Sequence, residues 1–280
     1  MLRISELFIY PIKSLGGITV NSAEVTSRGL KYDRRWMLVD EHNRFITQRE
    51  HTQMALLKVL IGIGGLSVTY PSKGSILIPY QYNYQVKHDV VIWDDACTGV
   101  YVSNEIDAWF SEVLNIKCRL VYMPDDSERE VDQRYALPGM ITSFADGYPF
   151  LLIGQASLDD LNSKLHEVVP MDRFRPNIVF TGGNAFEEDQ MNHLTISGID
   201  FYGAKLCARC VMTTIDQQTG IKTKEPLKTL AGYRLKSNKI MFGQNLIHKG
   251  SGTIAIGDMI SVLSRHEEER FIVQQKATSK

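Results

Sequence analysis

Along the first third of the chain, apolar positions recur in short runs rather than at helical spacing. Arg3–Tyr10 alternates imperfectly and Ile18–Val25 more regularly. Period-two patterning of this kind predicts half-buried strands. Met37–Asp40 and Arg44–Thr47 flank Glu41-His42-Asn43, which predicts a hairpin. Further runs at residues 56–61, 66–70, 75–79 and 85–92 are punctuated by Gly, Pro and Ser. Many short strands at this spacing suggest a barrel or a sandwich. The period then changes. Ser103 is placed as an N-cap, with Ile106, Trp109, Phe110, Val113 and Leu114 on one helical face. Residues 124–139, rich in charge and turn formers, read as a mobile loop. A buried strand is expected at 149–154 and an amphipathic helix at 157–166. Strands return at 177–180, 194–199, 201–206 and 253–263. The stretch after Arg265 reads as a frayed tail rather than a docking strand.

A length of 280 residues allows one large or two modest domains with a real core. A formal net charge of -1 gives no general attraction to nucleic acid or an anionic membrane, so any positive site must be local. Four cysteines, Cys97, Cys118, Cys207 and Cys210, are too few for a disulfide scaffold and fit a reducing compartment. The N-terminus meets charge and a proline before any apolar stretch can form, so no secretory signal is expected. No apolar run approaches the roughly 20 residues of a membrane-spanning helix. No nucleic-acid or membrane partner is expected, and the cytoplasm is the default location.

The densest chemistry lies at Cys207-Ala208-Arg209-Cys210. A structural zinc site takes four ligands. Here there is no second Cys pair, and none of the seven histidines stands at a neighbouring ligand spacing. A thioredoxin-like pair opens a helix, whereas Val211, Thr213, Thr214 and Ile215 form a β-branched run that favours strand. Two options stay open: one sulfur binding a metal at a strand end, or two packed thiols. Lys13-Ser14, followed by Gly16 and Gly17, could bind phosphate through charge and backbone N–H groups, or be a solvated loop. Arg175 and Asn177 flank Pro176 and could offer planar donors, or be a surface Arg and a turn-capping Asn. Gly62-Ile-Gly-Gly65 lacks the spacing of a dinucleotide fingerprint. Glu187-Glu188-Asp189 reads as a charged loop.

Cys-x-Arg-Cys-x-x-Thr-Thr-x-Asp-x-x-Thr-Gly220, Lys224–Leu230 and Phe242-Gly-Gln-Asn245 together resemble the MOSC domain, the C-terminal domain of molybdenum-cofactor sulfurases. Tyr10-Pro-Ile-Lys-Ser14, Gly29-Leu-x-x-Asp-Arg34, Trp36 and Thr47-Gln-Arg49 look like the N-terminal β-barrel domain paired with it. Phe174-Arg-Pro-Asn-Ile178 is similar to the family's central motif. The resemblance covers most of residues 1–265 and extends to the mitochondrial amidoxime-reducing components and their bacterial homologues, without a ferredoxin domain.

The resemblance implies a mainly β fold with α/β elements, an N-terminal β-barrel-like domain packed on a MOSC β-barrel domain with peripheral helices. Boundaries fall at 1–102 for the first, 103–123 for a connecting helix and strand, 124–265 for the MOSC domain and 266–280 for a tail. It implies a molybdenum cofactor with Cys210 as metal ligand. Lys13, Ser14, Arg34 and Arg49 are then phosphate anchors. Asp146, Gly147, Tyr148, Arg175, Asn177, Ala208 and Arg209 lie along the pterin, with Arg209 favouring the Cys210 thiolate. Gly147 and Tyr148 depart from the small hydroxyl residues common in relatives, which leaves backbone contacts there. Asp146 is the candidate proton donor. The implied activity is detoxifying reduction of N-hydroxylated substrates, amidoximes and N-hydroxylated bases. Electrons come from an external ferredoxin-, flavodoxin- or cytochrome-type donor, since no cysteine follows Cys210 and no flavin or nicotinamide fingerprint is present. The alternative is a cofactor carrier, or a sulfur-transfer protein working through a Cys210 persulfide without pyridoxal phosphate.

Overall fold

A computed structural model describes residues 1–81, 86–136 and 138–267, so the tail expected after Arg265 falls largely outside the described residues. The protein is mainly β, with 44% of the described residues in strands and 16% in helices. Seven strands form a closed barrel: β1 (Leu2–Ile9), β2 (Phe150–Gly154), β3 (Ile178–Thr181), β4 (Met191–Ile196), β5 (Ile199–Arg209), β6 (Lys239–Lys249) and β7 (Met259–Arg265). Around the barrel they run β2-β3-β1-β7-β4-β5-β6, and an antiparallel β2–β6 pairing closes the ring. Only β2 and β3 pair in parallel.

The strand expected to be buried at 149–154 is covered on both faces of the barrel wall. Phe150 and Leu152 point into a core shared with Leu7, Ile178, Phe201 and Leu246. Leu151 and Ile153 point outward, beneath helix α2 (Gln155–Asn162), in a second core with Phe174 and Phe242, whose rings stack at 4.3 Å. Strand β1 alternates imperfectly in sequence because its pairing with β3 slips between Ile4 and Glu6. A bulge of this kind shifts the side-chain phase by one residue.

The first strand therefore belongs to the C-terminal barrel. Ser22–Thr26 also pairs with Gly252–Ala255, and Ala23, Val25 and Leu30 pack in the barrel core. The boundary expected at residue 102 is consequently not a boundary in space. Residues 2–9 and 22–30 pack with the MOSC half, where Ile4, Leu7, Ala23, Val25 and Leu30 are buried, whereas Ile12 and Leu15 pack with Trp36 and Leu38.

The remaining N-terminal residues build a four-stranded sheet from Trp36–Val39, Lys87–Ile92, Asp95–Tyr101 and Arg119–Tyr122, and a three-stranded sheet over Lys58–Pro79. Both contribute to a core with helix α1 (Asn104–Leu114). Ser103 caps that helix, its hydroxyl accepting from the Glu105 and Ile106 amides, and Ile106, Phe110, Val113 and Leu114 are buried as the spacing predicts. Among the described residues no helix is long and apolar enough to cross a membrane.

Three local expectations are corrected. Helix α2 ends at Asn162, not His166. Within the stretch read as a mobile loop, residues 127–131 are anchored: Arg129–Glu130 pairs with Ile141–Thr142, and Ser127, Arg129 and Val131 are buried. Glu188 and Asp189 are buried too, not on a solvated loop. Glu188 accepts hydrogen bonds from the Gly154 amide at 3.1 Å and the Ser157 hydroxyl at 2.9 Å.

Burial, with Asp189 alongside, pushes the Glu188 carboxyl up to about 7. In the unfolded chain it ionises near 4.5, so the folded state holds more protons between those values and loses stability as pH rises from about 4.5 to 7. Glu188→Gln will therefore raise the melting temperature at pH 8 and change it little at pH 4.5. Equal shifts at both pH values would contradict the burial argument.

Candidate functional site

One cleft gathers residues that are far apart in sequence. Lys13, Ser14 and Arg34 approach from the N-terminal loops, and Asp146, Gly147 and Tyr148 from the loop before β2. Arg175 and Asn177 come from the turn before β3, and Cys207, Ala208, Arg209 and Cys210 from the end of β5. Of the residues expected at the site, only Arg49 does not line this cleft itself. It reaches the cleft edge, where its Nε donates to Cys210 Sγ at 3.3 Å and its Nη2 stands 3.4 Å from Asp146 Oδ2.

The segment after Cys210 is a short 3-10 helix, Val211–Thr214, not the strand its β-branched residues suggest. Thr213 and Thr214 turn their hydroxyls back onto the carbonyls of Cys210 and Val211, a local bond that competes with strand pairing. Cys210 thus stands at the corner where β5 ends. The rest of that motif is a scaffold. Asp216 accepts from the Gln218 and Thr219 amides and from Arg173 Nη2 at 2.9 Å, and Gly220 takes the left-handed conformation that closes the turn. Gln48 then bridges the two halves, donating to the Ser14 carbonyl at 2.7 Å and pairing with the Gln217 amide.

The two cysteines have different neighbours. Arg209 was expected to face the Cys210 thiol. Instead its Nη1 lies 2.9 Å from Cys207 Sγ, and its Nη2 donates to the Phe174 carbonyl. The reason is the strand geometry: Cys207 and Arg209 are two apart on β5 and share a face. The guanidinium at Cys210 belongs to Arg49.

Asp146 does not suit a proton donor. Lys13 Nζ lies 2.6 Å from its Oδ1. Burial opposes ionisation of this carboxyl, but the charges of Lys13, Arg49 and Arg34 outweigh that and hold it far below the usual carboxylate range. Asn177 is also reassigned. Its Oδ1 accepts from Arg34 and from the Leu151 amide, and its Nδ2 donates to the Phe8 carbonyl. With those bonds made, it orients Arg34 rather than facing a ligand.

Arg34 and Arg175 both lie over the Tyr10 ring, at 4.4 and 4.2 Å. Ser14, Arg34 and Arg175 all have positive φ, between 49° and 67°. Non-glycine residues adopt that region at a cost of order 1–3 kcal/mol, and three at one cleft indicate a backbone shaped by the site. Positive charge there is poorly compensated. Burial drives the Arg175 guanidinium down to about 10 and the Lys13 amine down to about 8, despite the opposing pull of Asp146 on the lysine. Arg173 Nε and Arg209 Nε are buried with no hydrogen-bond partner.

Sequence reasoning missed Arg129, Gln48, Arg173 and the stacking role of Tyr10. Arg129 is 3% exposed and donates to the carbonyls of Ser143 and Ala145 at 3.0 and 2.5 Å. It also pairs with Asp95 at 2.7 Å, so it fixes the loop that presents Asp146. Nothing in a run of charged residues distinguishes the one arginine that turns inward.

Comparison with known proteins locates the MOSC N-terminal beta barrel domain at residues 1–117 and the MOSC domain at residues 141–261. The chain is 32% identical to mitochondrial amidoxime-reducing component 1 of Mus musculus, over 94% of this chain and 82% of that protein. It is 30% identical to the Homo sapiens protein of the same name, with 94% and 83% covered. Similarity to the molybdenum cofactor sulfurase of Solanum lycopersicum is 32% over 86% of this chain but 32% of that much longer protein.

Proposed function

The chain belongs to the MOSC-domain family, and from that premise we propose that it is a molybdenum-cofactor-dependent reductase of N-hydroxylated compounds such as amidoximes. The observation that carries the reading is one thiol, Cys210, held by Arg49 beside a cleft with more buried cations than anions. Soft sulfur suits a metal already bound by a dithiolene. The buried Lys13 and Arg175, and the unpartnered Nε atoms of Arg173 and Arg209, suit an anionic phosphate and a planar acceptor-rich ring. The donor set therefore fits the group.

In this reading Cys210 ligates the metal, and Arg49, whose Nε donates to that sulfur, orients it. Lys13, Ser14 and Arg34 receive the phosphate. Arg175 presents donors to the pterin, while Tyr10 and Asn177 hold the two arginines in place. Asp146 stays ionised and bridges Lys13 and Arg49. The bound cofactor supplies the two-electron chemistry, and the protein supplies ligation, orientation and access. Electrons arrive from an external ferredoxin-, flavodoxin- or cytochrome-type donor.

The test is elemental analysis of protein from a molybdenum-replete host, followed by benzamidoxime reduction with a chemical reductant. About one molybdenum per chain and turnover to benzamidine are expected. Molybdenum without turnover would favour the carrier reading, and labile sulfur without molybdenum the persulfide reading.

The buried amine adds a pH signature. An anion favours protonated Lys13, so anion affinity is full below about pH 8 and falls as pH rises through it. Molybdenum retained after gel filtration will drop between pH 7 and pH 9.5, and Lys13→Arg will flatten the profile. A flat profile in the unmodified protein would remove Lys13 from the anchor.

A further inference from the structure

Trp93 occupies the tip of the hairpin between Lys87–Ile92 and Asp95–Tyr101, with φ at 56°. Hairpin tips in this left-handed conformation normally take Asn, Asp or Gly, and a bulky aromatic there is an outlier. The side chain is also 45% exposed. An exposed tryptophan on a strained backbone gains little for the core, and such strain concentrates at binding sites.

Its neighbours connect it to the cleft. The Arg49 guanidinium lies over the indole at 4.5 Å, and the Phe45 ring meets it edge-on at 5.0 Å. Lys13 Nζ lies 5.2 Å from the Phe45 ring centre. The two cations behind the aromatic pair are thus the two that bind Asp146, and Arg49 also reaches Cys210 Sγ. Arg49 stands at the border between the cleft and a groove lined by Phe45, Thr47, Trp93 and Asp94. The groove's charged residues, Asp40, Glu50 and Asp94 against Arg44 and Arg49, nearly cancel. Stacking rather than ion pairing therefore sets what it accepts.

We infer that Trp93 and Phe45 form a stacking platform at the mouth of the cleft for the planar aromatic part of an aryl N-hydroxylated substrate. The N-hydroxyl end then points past Arg49 toward Cys210. Aromatic stacking adds to simple burial, so the platform favours aryl over small aliphatic substrates. The identity of the reacting group rests on the reductase reading, whereas the stacking does not.

The experiment measures binding of benzamidoxime and acetamidoxime to the molybdenum-loaded protein by calorimetric titration without reductant, so that no turnover is needed. Trp93→Ala is expected to weaken benzamidoxime about five- to tenfold and leave acetamidoxime within about twofold. Trp93→Phe, which keeps a stacking ring, is expected to stay within about threefold of the unmodified protein for both. Thermal melts confirm folding of each variant. Equal weakening of both ligands, unchanged benzamidoxime binding in Trp93→Ala, or no binding of benzamidoxime to the unmodified protein would overturn the platform. Adding reductant then separates the two readings. Benzamidoxime that binds through Trp93 but is not reduced leaves the platform standing and removes the reductase.

Discussion

Cys210→Ser will lower retained molybdenum by at least on the order of 100-fold and abolish amidoxime reduction, while Cys207→Ala will lower either by less than about tenfold. The asymmetry follows from the two environments. Cys210 stands at the end of β5 with Arg49 Nε at 3.3 Å, on the edge shared by both halves of the protein. Cys207 lies within the strand, where Arg209 holds it while also donating to the Phe174 carbonyl. Losing the Cys207 sulfur leaves Arg209 that second bond, so the cleft wall persists. Losing the Cys210 sulfur removes the one soft ligand placed beside the anchoring cations. Elemental analysis of the two variants, with turnover measured alongside, checks the claim. Comparable molybdenum loss in both would indicate a two-thiol site.

Arg129→Met will destabilise the protein by about 3 kcal/mol, the largest effect expected from a residue outside the cleft. The substitution keeps a long apolar stem but removes every donor. The carbonyls of Ser143 and Ala145 are then left in a buried loop without their partner, at about 1–3 kcal/mol for each unsatisfied group. Asp95 is half exposed and recovers water, so its share is small. In a protein of this size the melting temperature should fall by roughly 6–12 °C. The same loop presents Asp146, so Lys13 should also lose part of its carboxylate partner, shifting the pH profile of molybdenum retention downward. A melting-temperature change below about 2 °C would return Arg129 to the role of a surface charge.

Much of this protein was legible in its residues. Short apolar runs identified many of the strands, though not Asp95–Tyr101 or the barrel strand Lys239–Lys249; the Ser103 cap located α1, and the motif order placed the family. Local chemistry carries such information because caps and strand faces depend on residues a few positions apart. The errors have a common form. The run after Cys210 has strand-forming residues, yet two threonine hydroxyls satisfy nearby carbonyls and wind it into a 3-10 turn. Arg209 has the right neighbour in sequence and the wrong one in space. Asp146 looks like an acid until Lys13, 133 residues away, pins it as an anion.

By itself the sequence determined a mainly β chain, its candidate thiol and the set of cations available to a site. Only the tertiary structure decided that Leu2–Ile9 completes the C-terminal barrel, which arginine faces which sulfur, and which charges are buried together. A chain with a net charge of -1 can build a strongly positive cleft because charge sums ignore position. Electrostatic strength depends on distance and on the exclusion of water, and both are properties of the folded arrangement.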